Sequence, residues 1–501
     1  MKLKLQSLFK ERKIKSITFD SRQIKEGDVF FAIKGKKHDG NDYILDALQS
    51  GASFAFTDDM TIAVGKYAHR QVIHVSDVRE CLAISAGVLY PELPSNIIAV
   101  TGTNGKSSVV SYIHQILSLL NYPSSAIGTL GVEYNRELTC NLDNNEEQNE
   151  GQTTYDPISF RMILDTLKKS GIENVAFEAS SHGIEQKRLG DVKFKYAAFT
   201  SFSQDHLDYH QTMENYLQSK LKLFSNNLEE GAEVVINSEL LANPLITEFL
   251  EQNNIKYCSV GTGGDINITN INSTLFEQEI VFEYNNKEYS FATNIIGSFQ
   301  AVNILIAAKL VHNLGIDFND IISLLPKLKA VKGRLDRITA PDCEFQIFVD
   351  YACTPDALEK SINELKRLKH KDGRLWLLFG CGGDRDASKR PIMGKIAAQS
   401  ANFVIITDDN PRTEDATKIR DAIAIGTMYS PSESKPRASI NVVADREDSI
   451  IGTIWHLRAG DIMLIAGKGH EDYQIIGTTK HQFSDIEIAK KALKNKLERK
   501  V

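Results

Sequence analysis

The stretch Val100-Thr101-Gly102-Thr103-Asn104-Gly105-Lys106-Ser107-Ser108 decides the fold prediction, because it separates two apolar patterns of different period. Before it, the run Ile97 to Val100 predicts a buried parallel strand. After it, one face of a predicted helix collects Val109, Val110, Ile113, Ile116, Leu117 and Leu120. A strand, a glycine-rich turn and a helix that begins at Lys106 are the parts of a phosphate-binding loop.

This loop offers the groups that bind a nucleoside triphosphate. Its backbone N–H groups and the helix N-terminus point at anionic oxygens, Lys106 supplies a positive charge, and the Ser107 hydroxyl can bind Mg²⁺. The usual pattern has a glycine five residues before Gly105, where this sequence has Val100. The alternative is an ordinary strand-to-helix turn with a solvated lysine, and the flanking strand and helix favour phosphate binding.

The composition is that of a globular protein with several domains. The chain has 501 residues, which suggests about three domains of ~150 residues each. Hydrophobic residues make up 42% and charged residues 25%, as in ordinary globular proteins. The net charge is −7, and no long block of basic residues would attract a nucleic acid. We therefore expect a small anionic substrate held by local basic groups.

The sequence also predicts a cytoplasmic protein. Its six cysteines are scattered without a C-x-x-C pair, so we interpret them as free thiols in a reducing compartment. Residues 1–15 are basic but lack the apolar core of a signal peptide. No apolar run approaches the ~18 residues of a membrane span.

The N-terminal region predicts a small α/β module with polar loops. These loops follow one another at 20–22, 27–32 and 36–40, and each is either a plain turn or part of a binding site. Pro91 and Pro94 predict a break in secondary structure just before the strand that leads into the phosphate loop. We interpret that point as a domain boundary.

The middle region alternates strands and helices, and two of its strands run into polar residues. Val175 to Phe177 leads into Glu178, and Tyr196 to Phe199 leads into a polar run that contains His206. Because ligands gather beyond the carboxyl ends of parallel strands, we expect Glu178 and His206 to lie near the bound phosphates and Mg²⁺. The alternative for the run at 205–210 is a polar surface loop with its own Asp/His network.

Three further features of the middle region bear on the site. The predicted helix 216–224 carries Lys220, which could point back toward the strand ends, although an ammonium repels Mg²⁺ unless its charge is removed. The polar stretch 141–150 predicts a mobile excursion that ends near the hydroxyl pair Thr153-Thr154. A later apolar helix carries Asn303 as its one residue of functional interest.

The C-terminal region predicts a second site at the end of a third sheet. Four predicted strands end in loops rich in glycine, acids and arginine, at 350–351, 380–386, 408–412 and 467–471. Arginines for carboxylates and acids for amines are what an amino acid requires. The run Gly380-Cys381-Gly382-Gly383 lacks the G-x-G-x-x-G order, which argues against hydride transfer.

With these motifs in place, the sequence resembles the Mur ligase family along essentially its whole length, and within it the enzymes that make UDP-N-acetylmuramoyl-tripeptide. The resemblance rests on eight ordered runs that begin at Thr101, Glu178, Asp205, Gly333, Val349, Gly380, Asp409 and Gly467. It implies an α/β protein of three domains. These are a small UDP-sugar-binding domain at 1–94, a central P-loop ATPase domain at 95–332 and a C-terminal Rossmann-like domain at 333–501.

The resemblance also implies the reaction. ATP phosphorylates the free carboxylate of the D-glutamyl residue in UDP-N-acetylmuramoyl-L-alanyl-D-glutamate, the amine of an incoming amino acid attacks the acyl phosphate, and phosphate leaves. It implies Mg²⁺ as cofactor, small-molecule substrates only, and a monomer with neither a nucleic-acid partner nor a membrane span.

Site residues follow from the same resemblance. Catalysis and metal binding are implied for Lys106, Ser107, Glu178, His206 and Lys220, the last as a carbamate. ATP contacts are implied for Gly102, Thr103, Asn104, Gly105, Lys106, Ser107, Ser108, Asn303, Arg334 and Asp350. Binding of the muramoyl dipeptide and its UDP group is implied for Ser21, Lys36, Lys37, His38, Thr153, Thr154, Ser180, Gln186 and Arg188. Binding of the added amino acid is implied for Arg390, Asp409, Asn410, Pro411, Arg412, Gly467 and Glu471.

The run Asp409 to Arg412 looks like the signature of family members that add meso-diaminopimelate, with Arg412 pairing the distal carboxylate that lysine lacks. A buried arginine without its carboxylate is costly, so such a site rejects lysine by several kcal/mol. The alternatives are a lysine-adding ligase of the same family and a catalytically silent nucleotide-binding regulator. Departures from the family pattern are Gln152 and Ser201 where Asn is usual, Ser238-Glu239 for an acidic pair, and Cys353 for His.

Overall fold

The structure is a computed structural model that describes residues 1–35, 38–66, 71–139, 152–340, 342–428 and 438–498. The predicted excursion at 141–150 and the candidate residues Lys36 and Lys37 lie outside the described residues.

The N-terminal sheet has four short parallel strands in the order β1-β2-β3-β4. A buried cluster that includes Phe9, Phe31 and Leu82 packs the first and third helices against this sheet. The elements are α1 (Lys2–Arg12), β1 (Ile17–Thr18), β2 (Val29–Phe31), α2 (Ile44–Gln49), β3 (Phe54–Thr57), β4 (Val72–His74) and α3 (Val78–Leu89).

The central sheet has ten strands in the order β14-β13-β12-β11-β10-β9-β5-β8-β6-β7. Its first elements are β5 (Asn96–Thr101), α4 (Lys106–Leu119), β6 (Ser124–Gly128), β7 (Gly131–Tyr134), α5 (Pro157–Lys169), β8 (Asn174–Glu178), α6 (Ser181–Glu185), β9 (Phe194–Phe199), α7 (Leu207–His210) and α8 (Met213–Asn227). It continues with β10 (Leu228–Asn237), α9 (Pro244–Gln252), β11 (Lys256–Gly261), β12 (Ile266–Ser273), β13 (Gln278–Tyr284), β14 (Lys287–Thr293), α10 (Ser298–His312) and α11 (Phe318–Leu324).

Strand β5 lies between β8 and β9, and all three are parallel. Helices α4 and α10 pack on one face of this sheet, in a buried cluster that contains Val109 and Ile304. Helices α5 and α8 pack on the other face, in a cluster that contains Leu164 and Leu221. The carboxyl ends of the three strands, at Thr101, Glu178 and Phe199, therefore meet at one edge, as the sequence predicted.

The C-terminal sheet has six strands in the order β15-β16-β20-β17-β18-β19, parallel except for β15. Its elements are β15 (Asp336–Arg337), β16 (Gln346–Asp350), α12 (Pro355–Leu368), β17 (Leu375–Phe379), α13 (Lys389–Ser400), β18 (Phe403–Ile406), α14 (Ala416–Thr427), β19 (Ser439–Val442), α15 (Arg446–His456) and β20 (Ile462–Ala466). A two-stranded hairpin of β21 (Tyr473–Ile476) and β22 (Thr479–Gln482) follows, and then α16 (Asp485–Glu498). The four strands predicted to share one sheet, β16, β17, β18 and β20, are neighbours in it.

The central and C-terminal sheets face each other at the phosphate loop. The Arg334 guanidinium donates to Ser107 Oγ at 2.9 Å, and Asn104 Nδ2 donates to Asp356 Oδ2 at 3.2 Å. The three sheets lie within the predicted ranges 1–94, 95–332 and 333–501, whose boundaries stay predictions. Through the described part of the chain, each helix is too short or too polar to span a bilayer.

Candidate active site

The turn between β5 and α4 is built on two glycines that leave room for other groups. Gly105 has φ +88°, a conformation that residues with a side chain rarely adopt. A Cβ atom there would lie 2.7 Å from Asn303 Oδ1, and one at Gly102 would lie 2.0 Å from Thr200 Oγ1. The backbone can approach its neighbours this closely only because both residues are glycine.

Two lysines meet at this turn. Lys106 Nζ donates to the carbonyl oxygens of Gly102 and Thr103, each at 2.8 Å, and Lys220 Nζ donates to the same Gly102 oxygen at 2.8 Å. Lys220 is 1% exposed. Burial lowers the pKa of both lysines, and the Lys106 charge lowers the pKa of Lys220 further. Lys220 therefore loses its proton more readily than an exposed lysine does.

Glu178 lies at the end of β8 and is buried. Its Oε1 accepts a hydrogen bond of 2.9 Å from the Thr129 backbone N–H. Its backbone oxygen accepts from Thr154 Oγ1 at 2.9 Å, and the Ser180 N–H donates to that hydroxyl at 2.8 Å. Thr154 and Ser180, two predicted substrate-binding residues, thus hold Glu178, a predicted metal ligand, in place.

His206 directly precedes the short helix α7, which follows β9, and has φ +56°. Its backbone N–H donates to Asp205 Oδ1 at 2.8 Å, and its ring lies edge-on to His182 at 4.8 Å between centroids. Burial lowers the pKa of His206 to about 4, so the imidazole is neutral and keeps a lone pair at neutral pH. The polar run at 205–210 thus forms a local Asp/His network and also lies at the sheet edge where β5, β8 and β9 end.

Three of the four predicted metal ligands, Ser107, Glu178 and His206, offer a hydroxyl, a carboxylate and an imidazole nitrogen; the fourth is Lys220 as a carbamate. No cluster of three His, Cys, Asp or Glu side chains able to hold a metal occurs in the described ranges. Mg²⁺ in nucleotide sites is bound by one or two carboxylates and otherwise by phosphate and water oxygens. The donors present fit that mode of binding.

A cavity of about 390 Å³ opens between the central and C-terminal domains beside the phosphate loop. Its lining includes six predicted ATP residues, Asn104, Gly105, Ser108, Asn303, Arg334 and Asp350. The Arg334 guanidinium stacks 4.5 Å from the centre of the Tyr351 ring, and its Nε atom is buried with no hydrogen-bond partner among the described residues. Tyr351 and Glu364 also line the cavity, although neither was predicted to contact ATP.

The predicted dipeptide residues form a connected network. Arg188 donates to Gln186 Oε1 at 2.9 Å and to Gln152 Oε1 at 2.9 Å, and also to the Thr154 backbone oxygen. Gln152, where the family usually has Asn, thus contacts Arg188 directly. Thr153 Oγ1 accepts from Thr129 Oγ1 at 3.1 Å.

The predicted UDP residues lie on the N-terminal domain. Ser21 begins a short 3₁₀ turn capped by Asp20, and His38 Nδ1 lies 3.4 Å from the Tyr43 hydroxyl. Lys187 of the central domain forms ion pairs with Asp77 at 2.8 Å and Glu80 at 2.6 Å. These pairs dock the N-terminal domain next to the dipeptide residues.

The predicted amino-acid site lies at the carboxyl edge of the C-terminal sheet. Arg390 forms an ion pair with Glu414 at 2.9 Å. Arg412 donates to the Gly383 oxygen at 2.8 Å and, within the described part of the chain, has no carboxylate partner. One arginine is therefore already paired, and the other can still receive an anion.

Acidic and amide groups lie on the run 409–412 and on the neighbouring loop at 467–471. Asn410 Nδ2 donates to Glu471 Oε2 at 2.8 Å, and burial raises the pKa of Glu471, as does the nearby Asp409. A Cβ atom at Gly467 would lie 2.6 Å from Asp409 Oδ2, and one at Gly383 would lie 1.9 Å from the Pro411 oxygen. The glycine-rich loops thus let the run 409–412 lie directly against them.

Sequence reasoning missed Lys468. This residue is 0% exposed, and its Nζ donates to Asn410 Oδ1 and Glu471 Oε2, each at 3.1 Å. Its position inside the glycine-rich run at 467–471 was the available signal.

Comparison with protein families matches three family descriptions along the chain. Residues 13–89 match "Mur ligase family, catalytic domain", residues 100–311 match "Mur ligase middle domain", and residues 333–469 match "Mur ligase, glutamate ligase domain".

Curated relatives are similar over nearly the whole chain. The UDP-N-acetylmuramoyl-L-alanyl-D-glutamate--2,6-diaminopimelate ligase of Rickettsia conorii is 48% identical over 492 residues, which cover 98% of each chain. The ligase of the same name from Bradyrhizobium diazoefficiens is 37% identical over 494 residues, covering 97% of this chain and 96% of its own.

Solved structures are similar too. A structure of a UDP-N-acetylmuramoyl-L-alanyl-D-glutamate--2,6-diaminopimelate ligase matches with a TM-score of 0.65 at 30% identity, covering 97% of this chain and 95% of its own. The MurF ligase of Thermotoga maritima in complex with ADP matches with a TM-score of 0.62 at 18% identity, covering 98% and 100%. The second likeness shows the fold alone.

Proposed function

The chain belongs to the Mur ligase family, and from that premise we propose that it is an ATP-dependent ligase that joins meso-2,6-diaminopimelate to UDP-N-acetylmuramoyl-L-alanyl-D-glutamate in peptidoglycan synthesis. The observation that carries this choice of amino acid is Arg412. Its guanidinium donates to the Gly383 oxygen at 2.8 Å and has no carboxylate partner among the described residues. Diaminopimelate supplies such a carboxylate at its distal end, and lysine does not.

The first step is phosphoryl transfer. A carboxylate oxygen of the D-glutamyl residue attacks the γ-phosphorus of ATP, the bond from that phosphorus to the bridging oxygen breaks, and ADP leaves. Lys106 and the N–H groups at the start of α4 stabilise the charge on the phosphates. Asn303, Arg334 and Asp350 hold the nucleotide in the 390 Å³ cavity.

Ser107, Glu178, His206 and the carbamate of Lys220 would hold Mg²⁺. When bound, the ion acts as a Lewis acid that draws charge from the phosphoryl oxygens. Lys220, whose pKa is lowered by burial and by the Lys106 charge, loses its ammonium proton, and the free amine takes up CO₂ through its nitrogen and loses a second proton. The resulting carbamate is an anion, so a negative charge then lies beside Lys106.

The second step is amide formation. The amine of diaminopimelate, near Glu471 and Asn410, attacks the acyl carbon, a proton leaves the nitrogen, and phosphate departs from the tetrahedral intermediate. Thr153, Thr154, Ser180, Gln186 and Arg188 hold the dipeptide. The interdomain contact from Arg334 to Ser107 keeps the two sites together and excludes water from the mixed anhydride.

We propose a monomer, as the family resemblance implies, and the nucleotide substrates support a cytoplasmic location. The test is release of phosphate and the mass of the product, with purified protein, Mg-ATP, the UDP-linked dipeptide, and either diaminopimelate or lysine. We expect product with diaminopimelate only. Equal turnover with lysine would make the protein a lysine-adding ligase.

The silent-regulator alternative needs its own variant. Lys106→Ala removes the ammonium at the phosphate loop, and Lys222→Ala removes an exposed lysine from α8 as a matched control. We expect Lys106→Ala to lose product formation and Lys222→Ala to keep it. Equal phosphate release by wild type and Lys106→Ala would favour a catalytically silent nucleotide-binding regulator.

A further inference from the structure

The hairpin formed by β21 and β22 lies against the run from Asp409 to Arg412. The Arg412 backbone N–H donates to the Ile475 oxygen at 3.1 Å, and the Gly477 N–H donates to the Arg412 oxygen at 2.8 Å. The hairpin therefore pairs with both backbone groups of Arg412, outside the six-stranded sheet.

Side chains add two more attachments at the same place. Asn410 Oδ1 accepts from the Ile475 N–H at 2.9 Å, and Gln474 Nε2 donates to the Asp409 backbone oxygen at 2.7 Å. Each residue from Asp409 to Arg412 except Pro411 is thus hydrogen-bonded to β21 or to the residue after it.

Arg412 needs such support, because its φ is +52°. A residue with a side chain in this left-handed region costs free energy and persists only when its surroundings hold it. The four residues of β22 are all exposed, so the hairpin is anchored through its inner strand. Its outer strand contributes little burial of its own.

We propose that this hairpin, through Gln474, positions the run 409–412 for the incoming amino acid, so that affinity for diaminopimelate depends on a side chain that does not touch it. The inference rests on the proposed function. Gln474 is a positioning residue, because it acts through the Asp409 backbone and the conformation of Arg412. Its amide donates from β21 directly to that backbone.

Steady-state kinetics of three variants test the proposal. Gln474→Met keeps the length and removes the donor, Gln474→Lys keeps a donor, and Gln482→Met makes the same change on exposed β22. In Gln474→Met we expect the KM for diaminopimelate to rise about five- to tenfold, as for the loss of one hydrogen bond. The kcat and the KM values for ATP and the UDP-linked dipeptide should change less than about twofold. Gln474→Lys should recover most of the loss, and Gln482→Met should behave as wild type.

Two results overturn the proposal. One is an unchanged KM for diaminopimelate in Gln474→Met. The other is a rise of all three KM values together, in this variant or in Gln482→Met, which indicates general damage.

Hydrogen exchange separates this proposal from the proposed function. If the wild type forms no product with any amino acid, the proposed function fails. Faster exchange of the Arg412 and Gly477 amides in Gln474→Met than in Gln482→Met would still support the hairpin as the element that holds Arg412. Equal exchange in the two variants would overturn it.

Discussion

Lys106 and Lys220 donate hydrogen bonds to the same carbonyl oxygen, that of Gly102, each at 2.8 Å. Two ammonium groups this close in a buried site repel each other, and burial opposes both charges. A lysine whose pKa is lowered on folding destabilises the folded state at every pH below its unfolded pKa of ~10.4. Neutral pH lies well inside that window. The arrangement costs stability and so points to a chemical use for Lys220.

The first prediction concerns Lys220→Met, with Lys222→Met on the same helix as control. Methionine fills the space without a charge, so we expect an unfolding temperature equal to or above that of wild type. We expect product formation to fall about a hundredfold or more, because the carbamate is lost. Bicarbonate should raise the unfolding temperature of the wild type and of Lys222→Met, but not that of Lys220→Met. A wild type indifferent to bicarbonate, with full activity in Lys220→Met, would contradict the carbamate.

A second prediction uses two glycines with nearly the same backbone conformation. Gly105 has φ +88° and Gly315 has φ +91°, but a Cβ atom at Gly315 meets nothing within 4 Å. Both Ala variants carry the strain of a positive φ, about 1 kcal/mol. Only Gly105→Ala adds a clash with Asn303. Isothermal titration with ATP should show weakened or lost binding in Gly105→Ala and wild-type affinity in Gly315→Ala.

Much of the α/β architecture could be predicted from apolar runs. Strands β17 and β20 end directly before the loops predicted at 380–386 and 467–471, and β5 is one residue longer at each end than predicted. Continuous apolar runs between polar turns are typical of buried parallel strands, so they are visible locally. The hairpin at 473–482 was not predicted, because its strands are short and partly or fully exposed.

The sequence motifs of the candidate site could be predicted, but the contacts between its residues could not. Lys220 could be placed on a helix, but its bond to Gly102 joins residues 118 positions apart. Such contacts depend on the order of the strands in the sheet, and hydrophobic periodicity does not reveal that order. The same is true of Gln474 and Asp409, which share no local pattern.

A third prediction concerns Cys353, which stands where the family usually has His. Burial raises the pKa of the Cys353 thiol to about 11, so about one thiol in ten thousand is ionised at pH 7. We expect alkylation by iodoacetamide to be slow at pH 7 and to quicken about tenfold per pH unit up to pH 10. Peptide mass spectrometry measures the alkylated fraction of Cys353, and the Cys353→Ser variant should lack the modified peptide. Rapid labelling at pH 7 that levels off below pH 9 would contradict the raised pKa.

The last prediction concerns Arg412→Lys. The guanidinium donates one N–H group to the Gly383 oxygen and can offer others to a carboxylate in a planar, two-bond arrangement that an ammonium cannot copy. We expect kcat/KM for diaminopimelate to fall about a hundredfold, and the preference over lysine, about a thousandfold in wild type, to shrink with it. Arg136 is an exposed arginine that donates to the Gly171 oxygen, so Arg136→Lys is the matched control and should leave both values unchanged. Because Arg390 is already paired with Glu414, it cannot take over the distal carboxylate without breaking that ion pair. A preference for diaminopimelate that survives in Arg412→Lys would therefore move the determinant of selectivity from Arg412 to another residue of the site.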